Sequence, residues 1–240
     1  MLIAGLDLAA EPKGTALAII DWLPGKAELV TLELGVNDEM VIEQTSEAVK
    51  LGIDCALGWP IEFIEFLNSQ SQTDGSIESR RRLAYRETDR HVRDVTGRWP
   101  LSVSTDRLGM TAIRCAGLLA KLAASGTTVD RAGGGKVVEI YPGASLGLWG
   151  FDRAGYRSDS GIRARLIAEL ENQAAWLNLG AFKPLMIESC DAFDAVIAAL
   201  AARAAHLGQY EGPKPDQLRQ ASLEGWVALP NAPIAELLRN

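Results

Sequence analysis

Apolar positions come in short runs near the start of the chain and in helical spacing near its end. Residues 2–9, LIAGLDLA, read as a buried strand that carries one charge, Asp7. Turn chemistry follows at Glu11-Pro12-Lys13-Gly14. TALAIIDW (15–22) and KAELVTLELG (26–35) read as two more strands, split by Leu23-Pro24-Gly25. Connections this short predict an antiparallel three-strand meander. NDEMVIEQTSEAVKLG (37–52) predicts a helix, with Asn37 or Asp38 as N-cap and Gly52 closing it. GIDCALGWP (52–60) predicts a fourth strand, stopped by Pro60. Helical patterns cover 79–95 and 107–124, and GGGKVVEIYPG (133–143) predicts a fifth strand. Residues 160–180 predict a helix with Ile162, Leu166, Ile167 and Leu170 on one face. SCDAFDAVIAALAARAA (189–205) predicts the last long helix, and GWVALP (225–230) a short strand.

This order predicts one α/β domain over 1–240, with a helical insertion at about 61–130. No repeat, low-complexity tract or linker interrupts it. The chain has 240 residues, 48% of them hydrophobic, enough for a large core. The net charge of −7 argues against a long non-specific grip on DNA, because nucleic-acid-binding domains are usually basic. Cys55, Cys115 and Cys190 are scattered and form no CxxC pair, which points away from a disulfide framework or zinc site and towards a reducing cytoplasm. The apolar N-terminus lacks the basic residues of a signal peptide. No apolar run reaches the ~20 residues of a membrane span, so no membrane partner is expected.

The carboxylates sit where chemistry is commonly placed. Asp7 shares a strand face with Ile3 and Gly5, and Asp54 holds a similar position on the fourth strand. Ligand sites in open sheets lie beyond strand ends, so both can point at one rim. Glu139 lies on the fifth strand. Asp191 and Asp194, at i and i+3, face the same way on a helix that is apolar nearly all round and therefore buried. Buried carboxylates need a counter-charge, and that helix has no lysine or arginine before Arg203. A divalent ion shared with Asp7 and Asp54 would supply it; hard oxygen donors suit Mg²⁺ or Mn²⁺. Plainer roles stand beside this one. Asp191 follows Ser189 closely enough to complement the helix dipole. Asp194 could be a structural anchor, Asp7 and Asp54 turn formers, and Glu139 a salt-bridge partner.

Residues 79–98, SRRRLAYRETDRHVRDVTGR, are the most basic stretch. Arg82, Arg86, Arg90 and Arg93 recur at helical spacing, and guanidinium forks match phosphate oxygens. The alternative is a solvated helix paired internally through Glu87, Asp89 and Asp94.

The segments GLDLAAEPKGTALAII, GIDCALGWPIEF, YRETD, VVEIYPG, DAFDAVIAALAA and EGWVALP, in this order, resemble domain-of-unknown-function family 429, whose members are predicted nucleases of ribonuclease-H-like fold. The resemblance implies a mixed five-stranded sheet, an antiparallel three-strand meander plus parallel strands, flanked by helices and interrupted by the insertion. The paired helix aspartates also resemble those of RuvC-type Holliday-junction resolvases. By that likeness Asp7, Asp54, Asp191 and Asp194 are the metal-binding and catalytic set, with Glu139 a further catalytic candidate. The fourth-strand acid of the resolvases is usually Glu, and here it is Asp54. The RETD match adds Arg86 and Asp89 to Arg82 and Arg90 as substrate-binding candidates. The implied reaction is two-metal hydrolysis of a phosphodiester in DNA or RNA. Junction-cutting resolvases are dimers, which makes a homodimer an expectation here. Two other readings remain open: a nucleotide-binding ATPase or kinase-like member of the same superfamily, faintly echoed by DLAAEPKGT, and an inactive binding or scaffold module.

Overall fold

The computed structural model describes residues 1–69 and 75–239. Its elements run β1 (Leu2–Asp7), β2 (Ala16–Leu23), β3 (Lys26–Leu34), α1 (Asp38–Gln44), β4 (Lys50–Asp54), α2 (Ile61–Ser69), α3 (Ile77–Ala84), α4 (Glu87–Thr96), α5 (Gly109–Ala124), β5 (Val137–Glu139), α6 (Pro142–Leu148), α7 (Ser160–Gln173), β6 (Leu177–Asn178), α8 (Lys183–Glu188), α9 (Cys190–His206) and α10 (Leu218–Glu224). The protein is mixed α/β, with one six-stranded sheet in the order β5-β4-β1-β2-β3-β6. The expected meander is present: β1 pairs antiparallel with β2, and β2 with β3. β4 lies parallel to β1 on the meander's other side.

Among the described residues the strand count is six, not five. The added strand is the two-residue β6, parallel to β3 through Ala27 and Glu28. It lies in sequence expected to be helical. α7 ends at Gln173, where the Ala174 N–H donates to Leu170, and the backbone then turns so that the Ala27 N–H donates to the Trp176 carbonyl. Two residues are too few to show a period of two. Gly52 does not close a helix either. α1, capped by the Asn37 side chain, stops at Gln44, and Gly52 lies inside β4. GWVALP forms no strand and contributes only isolated bridges at Val227 and Pro230.

The chain divides into two compact units. The first comprises Met1–Asp54, Ile140–Glu211 and Ala228–Asn240; the second comprises Cys55–Glu139 and Gly212–Val227. In the first unit α9 is the central helix, buried from Ala192 to Ala205. Small residues let it lie directly on the strands. A Cβ on Gly5 would stand 2.1 Å from the Ala199 nitrogen and 2.2 Å from the Ala195 oxygen. One on Gly52 would stand 2.8 Å from the Ala198 oxygen. Alanine on the helix and glycine on the strands are two halves of one close contact. The second unit is mainly helical, and most of the expected insertion falls within it; residues 70–74 of that insertion lie outside the described residues. Its buried apolar side chains include Ala56, Val92, Val103, Ala112, Leu118 and Leu122.

Candidate functional site

The same close contact sets the site. Gly5 and Gly52 are register partners on the parallel pair β1–β4, and two residues on, so are Asp7 and Asp54. A strand repeats its face every second residue, so each aspartate shares the face of the glycine that α9 presses on. Both are the last residues of their strands. On α9, Asp191 precedes Ala195 by four residues and Asp194 precedes Ala198 by four, which places each one turn N-terminal of a residue that touches a glycine. The start of α9 thus brings two carboxylates to the strand ends that carry the other two. Ser189 is the N-cap of α9, accepting from the Ala192 N–H at 3.1 Å, so capping does not require Asp191.

The charges respond to this crowding. Burial and the neighbouring charges of Asp54, Asp194 and Asp191 push the Asp7 carboxyl up to about 9, against the pull of Arg157. Asp194, 3% exposed, is raised by burial to about 6, with Arg157, Tyr156 and Cys190 opposing the rise. The Tyr156 hydroxyl donates to both Asp194 oxygens, at 2.9 and 3.2 Å. The Cys190 thiol lies 3.6 Å from Asp194 Oδ2, and burial and that charge push it to about 12, where it is inert as a nucleophile. Asp191 is raised by burial and held back by Arg157 and Arg163.

Tyr156 and Arg157 were not legible as site residues. They lie between α6 and α7, in a loop with no motif. α9 carries no cation before Arg203, and a guanidinium 4.0 Å from Asp194 comes from this loop. Arg203, the first cation on α9, is engaged far along the helix. It donates to the carbonyls of Leu237 and Arg239 and lies over the Trp22 ring, 4.6 Å from its centroid.

Residues 5–218 match the model of a family described as a protein of unknown function, DUF429. The chain belongs to that family. No curated protein and no solved structure matches it.

The other sequence-predicted residues of this DUF429 chain group differently. The expected helix over 79–95 breaks at Tyr85 and Arg86, both extended, into α3 and α4. The stripe of Arg82, Arg86 and Arg90 therefore does not form. The break has a cause in the second unit: Arg86 turns inward as the N-cap residue of α4. Its guanidinium meets Glu139 with two bonds, of 2.7 and 2.8 Å, and Asp89 with two more, of 2.9 and 3.2 Å. A fifth bond reaches the Glu224 carbonyl at 3.0 Å. Glu139 also accepts from the Leu57 N–H at 3.0 Å, and burial raises its carboxyl while Arg86 lowers it. Gly225, at φ +95°, leaves room for the network; a Cβ there would stand 2.6 Å from Glu139 Oε2. Arg82 remains exposed, with Glu78 3.9 Å away, and Arg90 is bonded to Glu87 at 2.8 Å.

The donor chemistry of the aspartate cluster fits a hard divalent cation. All four side chains offer carboxylate oxygens, and burial first, then the neighbouring carboxylates, raises Asp7. The donor type is present without the arrangement: among the described residues no group of three or more His, Cys, Asp or Glu could hold a metal ion.

Proposed function

We propose that this chain is a metal-dependent nuclease that hydrolyses phosphodiester bonds on a ribonuclease-H-like scaffold. The observation that carries the reading is the convergence of Asp7, Asp54, Asp191 and Asp194, strong enough to raise the Asp7 carboxyl to about 9. The meander with β4 parallel to β1 supports the scaffold assignment. Asp7, Asp54, Asp191 and Asp194 would hold Mg²⁺ or Mn²⁺. Bound there, divalent ions supply Lewis acidity for an attacking water and a leaving oxygen. The remaining work belongs to the chain. The register of β1 and β4 sets Asp7 beside Asp54. The Tyr156 hydroxyl orients Asp194 by donating to its carboxylate, and the buried body of α9 fixes the backbone that carries Asp191 and Asp194. Without a cation, burial and the neighbouring carboxylates favour a proton at Asp7, shared with the acids it is coupled to.

The test is cleavage of a substrate panel, single- and double-stranded DNA, RNA and four-way junctions, with Mn²⁺ or a chelator, alongside ATP hydrolysis. Wild type is expected to cut at least one substrate only with metal, and Asp7→Asn to lose ~100-fold or more of that rate, the scale on which removing one charge-stabilising group acts. ATP turnover without nucleic-acid cleavage would replace this reading with the kinase-like one. Neither activity, with no metal bound, would leave a binding module.

A further inference from the structure

The second unit carries arginines on its surface with two aromatic rings set among them. α3 bears Arg80, Arg81 and Arg82, all exposed, and Arg98, just beyond α4, is exposed too. The fold brings these two segments together. The Tyr85 and Trp99 rings stack with centroids 4.1 Å apart and planes 25° from parallel, and the Arg81 guanidinium lies 5.7 Å from the Trp99 centroid. The Ser102 hydroxyl donates to the Ala84 carbonyl at 2.5 Å, which ties the segment after α4 to the end of α3. Both stacked rings are only half-buried. Unlike Arg86 and Arg90, whose guanidinium groups are taken by carboxylates, these arginines are lightly engaged. Arg80 Nε donates to the Ser76 carbonyl at 3.4 Å, and Arg82 has Glu78 at 3.9 Å with both side chains exposed, a pair that solvent screening leaves weak. Among the described residues no carboxylate lies within ion-pair distance of Arg81 or Arg98.

We propose that this face binds single-stranded nucleic acid: the Tyr85–Trp99 stack supports an unstacked base, and Arg80, Arg81, Arg82 and Arg98 meet the phosphates of the strand. This rests on the nuclease reading for the class of polymer and deepens it by giving the second unit a part in holding substrate. Guanidinium forks match phosphate oxygens, and a guanidinium plane also stacks on a base or an aromatic ring. Arg81 stands where both contacts are made, beside a ring and unpaired with any described carboxylate. The rings select the single strand. Every base has a face that can stack on an aromatic side chain, but in a duplex those faces are already stacked on neighbouring bases. An acidic polypeptide would meet the arginines and leave the ring stack unused. The net charge of −7 sets the extent of the grip, because the attraction is local and suits a short stretch of strand. DNA and RNA share this chemistry.

Binding is read by fluorescence anisotropy of labelled strands of about ten thymidines or about ten uridines, and of a duplex of the same length, in chelator so that cleavage does not intervene. Wild type should bind a single strand at least about tenfold more tightly than the duplex. Preference for the thymidine strand identifies DNA as the source of the chemistry, and preference for the uridine strand identifies RNA. Arg81→Gln combined with Arg98→Gln should weaken single-strand binding about tenfold and lower the slope of log affinity against log salt by about 1.4, at roughly 0.7 for each lost phosphate contact. Trp99→Leu should weaken binding about tenfold at every salt concentration with the slope unchanged, and Trp99→Phe, which keeps a ring, should recover most of the loss. Equal affinity for the duplex, an unchanged slope in the arginine variant, or wild-type binding by Trp99→Leu each overturns the proposal. Displacement of the strand by polyglutamate of matched charge overturns it in favour of an acidic polypeptide. If Trp99→Leu does not fold, the arginine variant, which alters only exposed side chains, still decides through its slope. A wild type that binds the strand through these residues yet cuts nothing with Mn²⁺ removes the nuclease reading and leaves this face as a binding surface; one that cuts but binds independently of them removes only this proposal.

Discussion

Each unit of this protein gathers carboxylates away from open solvent, wholly buried in the second and mostly half-buried in the first, and the two do so in opposite ways. In the second unit, Asp89 and Glu139 meet a fully buried Arg86, whose guanidinium makes five hydrogen bonds. In the first, Asp194 accepts from a tyrosine hydroxyl and lies 4.0 Å from the half-exposed Arg157, while Asp191 is drawn to both Arg157 and Arg163. Buried charge is tolerated where every donor and acceptor is matched. The Arg86 network meets that condition and reads as architecture. The aspartate cluster is held differently: crowding and burial raise Asp7 and Asp194 instead of pairing them closely with a guanidinium.

The largest expected effect comes from breaking the matched network. Arg86→Met removes the one cation and strands Asp89 and Glu139 in the interior, which should cost about 3–5 kcal/mol of stability. Urea denaturation measures it; a loss under ~1 kcal/mol would mean that water reaches the network and that Arg86 is available for other work.

Removing charge from the aspartate cluster should act in the other direction. Asp7 has an ordinary value of 3.8, raised to about 9 in the folded protein. Between those pH values the folded protein keeps a proton that the unfolded chain has released, so stability falls as pH rises from about 4 towards 9. Asp7→Asn removes that dependence. Metal-free Asp7→Asn should therefore be more stable than wild type by roughly 1–3 kcal/mol at pH 8, with little difference at pH 4. Thermal melts in chelator across that range check it. A wild type as stable at pH 8 as at pH 5 would show that the carboxylates are better solvated than their positions imply. Asp194→Asn is a less clean probe, because it also disturbs the bonds from Tyr156 and Cys190.

These contrasts also explain what could be read from the sequence alone. The meander and the aspartates of strand ends and helix were legible because apolar alternation and helical spacing are local signals. LIAGLD and LGID place glycine two residues before aspartate on each strand, and the structure shows why: α9 needs the glycines and its N-terminal turns meet the aspartates. The Arg86 network was legible only in part: a salt-bridge role for Glu139 stood among the readings, but not its partner Arg86. Arg86, Asp89, Glu139 and Glu224 are separated by up to 138 positions along the chain, and helical spacing alone suggested an exposed stripe. Only the inward turn of one guanidinium separates the two outcomes, and no local pattern encodes it. Arg157 escaped for a similar reason. Its place beside Asp194 depends on where a loop returns after α6, which is a property of the packed fold. The two-residue β6 carried too little sequence to express a period.

The smallest stability effect is expected at Asp191, where opposing contributions nearly cancel. It lies in the first turn of α9, where a negative charge gains about 0.3–1 kcal/mol from the helix dipole. It is also attracted to Arg157 and Arg163, yet it stands among like charges and contributes least of the three neighbouring acids to the rise of Asp7. Asp191→Asn surrenders the dipole and arginine attractions and relieves part of the repulsion. Metal-free stability should therefore stay within about 0.5 kcal/mol of wild type, the range of an ordinary surface change. The metal response should not stay the same. With Mn²⁺ at ~10 times the wild-type dissociation constant, binding adds RT ln 11, about 1.4 kcal/mol, a melting shift of roughly 3–6 °C for a chain of this size. If losing one carboxylate ligand weakens Mn²⁺ about tenfold, the same concentration adds only RT ln 2, about 0.4 kcal/mol, or roughly 1–2 °C. Paired melts with and without Mn²⁺ separate the two roles that the sequence left open for this residue. A full metal shift in Asp191→Asn assigns Asp191 to the helix dipole alone and leaves Asp7, Asp54 and Asp194 as the site. A reduced shift with unchanged metal-free stability places its carboxylate on the ligand.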